Sequence, residues 1–159
     1  MTTVVYSRKH RKLLADRQIG IPITDGTKIF AAGTAPTMLL TGAGYYDDLA
    51  EVARWLAAGY AEDSKPQLPD RGDGKDSDFV LVNAENGDAW WMTYPYLRRV
   101  PITEEFYTLG TGGQYALGAL LAGATPEKAM QIAASLDPYT GEAYDVHNLG
   151  ARPPAKRRR

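Results

Sequence analysis

The residues with the clearest chemical prospect stand at the very start of the chain. Thr2 follows Met1, and threonine is small enough for methionine aminopeptidase to remove that methionine. The mature chain is then expected to begin Thr-Thr-Val-Val, with no longer leading segment. A threonine in first position carries a hydroxyl and an α-amine on one residue. That amine titrates at roughly 7.7–8.0, far below a lysine, so it is partly neutral at pH 7. It can therefore act as the base for its own hydroxyl. A threonine after Met1 is also a common accident, so its surroundings must decide.

Composition removes most other chemistry. Cysteine is absent, which excludes a thiol nucleophile, a cysteine zinc site, an iron–sulfur cluster and a disulfide scaffold. The two histidines, His10 in a charged turn and His147 near the end, read as ordinary polar residues. No metal and no cofactor are expected. Gly110-Thr111-Gly112-Gly113 taken alone suggests an anion or phosphate site, but it lacks the spacing of a phosphate-binding loop or a dinucleotide fingerprint.

The elements that must position such a threonine can be read from periodicity. Residues 3–7 (Thr-Val-Val-Tyr-Ser) are β-branched and aromatic and predict a strand. The charged stretch 8–12 turns the chain, and Leu13-Leu14-Ala15 returns as a second strand ending at Asp16. The first residues are thus expected to be fixed in a sheet rather than frayed. Strands at 27–32 and 37–41 follow, joined through 33–36. A helix is predicted over Leu49, Val52, Ala53, Leu56 and Ala57, with Asp47 and Asp48 in its first turn. Residues 62–78 read as an exposed polar loop with almost nothing to bury. Strands at 79–83 and 88–93 flank Asn86-Gly87, a strong hairpin signal. A strand at 106–109 precedes an almost wholly apolar helix, 114–121, expected to be buried between layers. A second helix opens at Thr125-Pro126-Glu127, and a last strand is expected at 144–147. Segregated runs of strands and helices with antiparallel hairpins give an α+β class.

With these elements in place, the sequence resembles the proteasome β-subunit family, most closely its bacterial HslV-type branch. That family begins its mature chain with a nucleophilic threonine, matched here by Thr2-Thr3-Val4-Val5. Its second strand ends in an aspartate, matched by Ala15-Asp16-Arg17-Gln18. A lysine precedes an apolar pair in Thr27-Lys28-Ile29-Phe30. A small-residue turn opens the first helix in Gly42-Ala43-Gly44-Tyr45-Tyr46-Asp47. A late Gly-Ser-Gly-Gly-x-Tyr-Ala appears as Gly110-Thr111-Gly112-Gly113-Gln114-Tyr115-Ala116, with threonine in place of serine. Asp-x-x-Ser/Thr appears as Asp137-Pro138-Tyr139-Thr140. The matches fall in the family's order and cover about residues 2–142. One departure is the 62–78 loop, where the family has a second long helix that helps build subunit contacts.

The resemblance implies a four-layer αββα sandwich of antiparallel sheets, the N-terminal nucleophile hydrolase fold, over residues 2–150. It also implies a threonine-type endopeptidase acting on a peptide or unfolded protein. In that scheme Thr2 is the nucleophile and Lys28 the neighbouring cation, paired with Asp16. Backbone N–H groups of Gly42, Ala43 and Gly44 bind the oxyanion, and Thr111, Asp137 and Thr140 support the α-amine. A cytoplasmic homo-oligomer, open to feeding by an ATP-dependent unfoldase, goes with the family. Two other readings stand beside it. One is an amidohydrolase with the same kind of nucleophile acting on a small amide. The other is an inactive ring or scaffold protein that keeps the fold and has a nucleic-acid-binding basic tail.

Charge sets the tail apart. Residues 152–159 hold five of the eighteen Lys and Arg, while all nineteen acidic residues precede them. The thirteen basic residues of 1–151 leave that body at −6 and the tail at +5. Such a proline-broken basic segment, 151–159, reads as disordered. It either stays solvated, resting on the acidic body, or makes a weak contact with nucleic acid or with an acidic partner. No stretch reaches the ~20 apolar residues of a membrane helix, so no membrane contact is expected. The aromatic run Trp90, Trp91, Tyr94 and Tyr96 is read as core and subunit interface, with a substrate surface as the alternative.

Overall fold

The computed structural model describes residues 2–20, 24–34, 37–70, 72 and 77–150; the basic tail and parts of the 20–26 and 33–36 connections lie outside the described residues. In chain order the strands are β1 (Val4–Ser7), β2 (Lys12–Asp16), β3 (Gln18–Ile19), β4 (Thr24–Asp25), β5 (Phe30–Thr34), β6 (Thr37–Ala43), β7 (Asp78–Asn83), β8 (Ala89–Thr93), β9 (Val100–Pro101), β10 (Phe106–Leu109) and β11 (Tyr144–Asn148). The helices are α1 (Tyr46–Ala57), α2 (Gly113–Leu121) and α3 (Pro126–Leu136), with a single 3-10 turn at Glu62–Ser64.

Among the described residues the strands form two large antiparallel sheets beside a two-stranded β3-β4 ribbon. One has the order β10-β1-β2-β11, so the first strand of the chain is central; the other is the meander β5-β6-β7-β8-β9. Successive side chains on a strand point to opposite faces, and that alternation builds the layers. Val4, Tyr6, Leu13 and Ala15 face Leu39, Val80 and Val82 of the second sheet. Val5 and Leu14, between them in sequence, face Ala116, Leu120, Met130 and Ala133 of α2 and α3. On the far side, Leu40, Phe79, Leu81 and Met92 meet Leu49, Val52 and Leu56 of α1. The order is helices, sheet, sheet, helix. Strands buried on both faces explain why 4–6, 13–15 and 79–82 are continuous apolar runs rather than alternating ones.

Local chemistry sets the ends of these elements. Thr125 Oγ1 accepts from the Lys128 N–H at 3.3 Å with Pro126 in the first helical turn, which starts α3. The β7–β8 hairpin turns through Asn86-Gly87, and the Asn83 N–H donates to the Asp88 carbonyl at 2.8 Å.

Three sequence expectations need correction. The strand expected at 27–32 begins only at Phe30. Residues 27–29 leave the sheet, with Thr27 Oγ1 accepting from the Ile29 N–H, and this carries Lys28 inward. The 62–78 loop does bury side chains: Pro66 and Leu68 are inside, Leu68 against the α1 layer. Finally, α2 is not enclosed on all sides. Gly113, Ala116 and Leu120 are buried, but Tyr115 is exposed and Leu121 is 72% exposed. The described residues supply a layer for only one face of this helix.

The two sheets are also joined by a polar link. Tyr6 is fully buried, and its hydroxyl donates to the Gly87 carbonyl in the β7–β8 turn at 2.7 Å. Tyr6→Phe should keep the fold and cost about 1 kcal/mol, the usual net value of such a bond. A lowered urea midpoint with an unchanged slope is the expected result.

Candidate active site

Thr2 and Thr3 lead directly into β1 and are both buried, Thr2 at 5% exposure and Thr3 at 0%. They are held there by the chain's return. The Asp16 N–H donates to the Thr3 carbonyl at 3.1 Å, and the Thr3 N–H donates to Asp16 Oδ1 at 2.7 Å. On the other side lies the segment after β10. Gly110 has φ of +83°, and a Cβ there would stand 1.5 Å from the Thr2 carbonyl oxygen. A Cβ on Gly112 would meet Thr3 Oγ1 at 2.2 Å. The glycine-rich stretch that suggested a phosphate cradle is therefore explained by close approach: it lets the first residues of the chain lie against the start of α2.

Asp16, the last residue of β2, is the centre of the first polar cluster. Lys28 Nζ lies 3.1 Å from Oδ1 and 3.0 Å from Oδ2, and both side chains are almost wholly buried. Besides Thr3, the N–H groups of Gln18 and Gly141 each donate to Oδ2 at 3.1 Å. Burial pulls the Lys28 ammonium below the ordinary lysine range, and the charge and hydrogen bonds of Asp16 pull it back only in part.

The second cluster lies around Asp137, the residue that ends α3. Its Oδ2 accepts from Thr111 Oγ1 at 2.6 Å and from Thr140 Oγ1 at 2.7 Å, and its Oδ1 accepts from the Tyr139 N–H. Thr140 Oγ1 also lies 2.6 Å from Thr3 Oγ1. Thr140 has one hydroxyl proton, and it goes to the carboxylate. The Thr3 hydroxyl must then donate to Thr140, so the relay runs Thr3 to Thr140 to Asp137. Burial opposes ionisation of Asp137, but the donations from Thr111, Thr140 and Tyr139 outweigh it and hold the carboxyl below the usual range.

A cavity of about 280 Å³ opens in front of these clusters. Thr2, Lys28, Gly42 and Gly44 line it, together with Ile19, Tyr45 and Leu49. Gly42 and Ala43 end β6, and Gly44, at φ of +133°, turns the chain toward α1. Thr2, Lys28 and the Gly42–Gly44 segment thus meet at one opening, with Asp16 beneath Lys28 and Thr111, Asp137 and Thr140 grouped behind. A larger cavity of about 460 Å³, lined by Arg8, Arg11 and residues 86–90, holds none of them.

The remaining candidates lie elsewhere. Trp90 and Tyr94 pack toward α1 and Trp91 between the sheets, while Tyr96 is exposed; none lines the Thr2 cavity. His10 Nδ1 pairs with Ser7 Oγ at 2.9 Å in the β1–β2 turn. Among the described residues no group of three acidic or histidine side chains is placed to hold a metal ion. Sequence reading passed over Thr3, for which the doubled threonine was the available signal, and the buried residues Asp48 and Ser77.

This architecture, antiparallel sheets between helical layers, is shared with solved structures. Eukaryotic HslV from Trypanosoma brucei superposes with a TM-score of 0.60 over 91% of this chain and 97% of that one, at 19% identity. Anbu from Hyphomicrobium sp. strain MC1 superposes with a TM-score of 0.64 over 92% of this chain and 80% of that one, at 12% identity. At these identities the likeness is one of fold. No family model and no curated protein matches the sequence. Among the described residues no helix is long and apolar enough to cross a membrane.

The Asp137 cluster has a measurable signature. A carboxyl held low in the folded state stabilises the protein fully above the ordinary aspartate value of about 4, and that contribution is lost as pH falls through the folded value. Asp137→Asn should therefore melt lower than the unsubstituted protein at pH 6–7, and the gap should begin to close near pH 4 and vanish only once pH has fallen through the lower folded value. Melting temperature against pH for the two proteins is the check.

Proposed function

We propose that the chain is a threonine-type endopeptidase of the proteasome-like kind, with Thr2 as nucleophile once Met1 has been removed. The observation that carries this reading is that Lys28, buried and paired with Asp16, lines the same cavity as Thr2. Burying an ammonium and a carboxylate costs several kcal/mol per ion before their attraction repays it. A cation kept at that cost on the cavity that Thr2 also lines suits nucleophile activation better than simple packing.

In the proposed reaction the α-amine of Thr2, through a water, takes the hydroxyl proton as Oγ1 attacks the scissile carbonyl carbon. The Lys28 ammonium lowers the cost of the developing alkoxide, and Asp16 holds the ammonium in place. The carbonyl oxygen becomes an oxyanion and is met by backbone N–H groups of the Gly42–Gly44 segment, a contribution of about 3–4 kcal/mol. The C–N bond then breaks, the amine leaves with the proton, and an ester on Thr2 remains. Water attacks that ester, the α-amine passes the water's proton to Oγ1, and the acyl C–Oγ1 bond breaks to release the acid and restore the Thr2 hydroxyl. The Asp137 cluster keeps Thr3, and through it the start of the chain, in register.

A peptide epoxyketone tests this directly. Intact mass should show a chain lacking Met1 that gains one adduct at Thr2, and Thr2→Ala should gain none and hydrolyse no fluorogenic peptide. An active protein that retains Met1 would sink the mechanism, because the Thr2 nitrogen would then be an amide.

Lys28 supplies a second test. Arginine keeps the charge but is larger, planar and never deprotonated. Lys28→Arg should lose at least ~100-fold in turnover, about 2.7 kcal/mol in the barrier. Asp16→Asn should lose less turnover but melt lower, since one amide oxygen cannot serve Lys28 and three N–H groups together. Near-normal turnover by the arginine variant would place Lys28 outside the chemistry.

The cavity is at the small end for a ligand site, which keeps a small-amide amidohydrolase as the second reading. Turnover of a simple acyl amide without turnover of peptides would favour it. Assembly is proposed on the exposed apolar side chains Tyr115, Leu121, Leu136 and Tyr139 of α2, α3 and the turn after α3. Sedimentation at micromolar concentration should show a homo-oligomer rather than a monomer.

A further inference from the structure

The turn from β6 into α1 holds two buried polar side chains that the reaction above does not use. Asp48, in the first turn of α1, is 4% exposed, whereas Asp47 beside it faces solvent. Ser77, just before β7, is also 4% exposed and donates its hydroxyl to Asp48 Oδ2 at 2.7 Å. The same serine oxygen faces the N–H of Tyr45, the residue that caps α1, at 3.5 Å. A Cβ on Gly44 would stand 2.4 Å from Ser77 Oγ, so the Gly44 backbone lies directly on the serine.

These contacts form a helix cap of an unusual kind. A carboxylate three residues into a helix ordinarily reaches back to the capping residue's N–H itself. Here the serine hydroxyl stands between them, and the Tyr45 side chain makes no capping bond. Burying a carboxylate and a hydroxyl together is unfavourable unless each is bonded. What the arrangement gains is a fixed backbone at Gly44 and Tyr45, both of which line the Thr2 cavity.

We propose that Ser77 and Asp48 are positioning residues that hold the Gly42–Gly44 segment where its N–H groups meet the oxyanion. This rests on the reading of Thr2 as the nucleophile. Oxyanion donors act in the transition state and hardly at all on the bound substrate. Loosening the turn therefore lowers kcat and leaves KM in place.

Ser77→Ala, Asp48→Ala and their double variant would be assayed on a fluorogenic peptide, with circular dichroism and the epoxyketone adduct as controls. A peptide boronate, whose tetrahedral adduct puts an oxygen where the oxyanion forms, supplies a second readout. Each single variant should lose about tenfold in kcat with KM within twofold, and boronate affinity should fall by the same factor. The double variant should be no worse than the worse single one, because the pair acts as a unit. Asp48→Asn, whose amide oxygen still accepts from Ser77, should recover most of the loss and keeps the test open if Asp48→Ala does not fold. Kcat within twofold of normal in the alanine variants, or a loss lying in KM, would overturn the proposal. Absence of any Thr2 adduct on the unsubstituted protein would instead remove the nucleophile reading, and the positioning role with it.

Discussion

The buried contact between Lys28 and Asp16 is the constraint around which the rest of the chain is arranged. An ammonium taken out of water needs its partner at close range, and a carboxylate so placed needs every lone pair used. Asp16 meets that need by accepting from three backbone N–H groups that belong to three separate parts of the chain: Thr3, Gln18 and Gly141. The start of β1, the exit of β2 and the turn after α3 are thereby tied to one side chain. The irregular path of 27–29, which interrupts an otherwise good strand, follows from the same need. It delivers Lys28 to the carboxylate.

Much of the architecture was legible in the sequence because it rests on local signals. The N-terminal hairpin, the Asn86-Gly87 turn, the Thr125-Pro126 helix start and the antiparallel α+β class all come from short patterns whose physics is local. The misread parts share a different cause. Whether 27–29 is strand depends on Asp16, twelve residues away and on another sheet. Whether Leu68 is inside depends on where α1 leaves space. Whether α2 is covered on every side depends on what lies beyond the chain.

The candidate site divides the same way. Aspartate, lysine and small-residue turns at given places in the chain could be picked out because they match an ordered series of motifs, not because any one of them is telling. Asp48 was harder. Two adjacent aspartates in a first helical turn look alike in sequence, and only the packing of Ser77 and Gly44 distinguishes the buried one from the exposed one. Thr111 in place of serine made no difference to the cluster, since either hydroxyl can donate to Asp137.

The central place of β1 in its sheet bears on durability. Chain ends usually open and close on their own, well before a domain unfolds, and catalytic segments are often drawn from such loosely held regions. Here the residues leading into β1 are wedged between β2 and the Gly110 turn, and the strand is paired on both edges and covered on both faces. Thr3 cannot come loose without breaking both of its backbone bonds to Asp16. Local fraying of this segment is thus opposed by the same contacts that hold the two layers around β1 together.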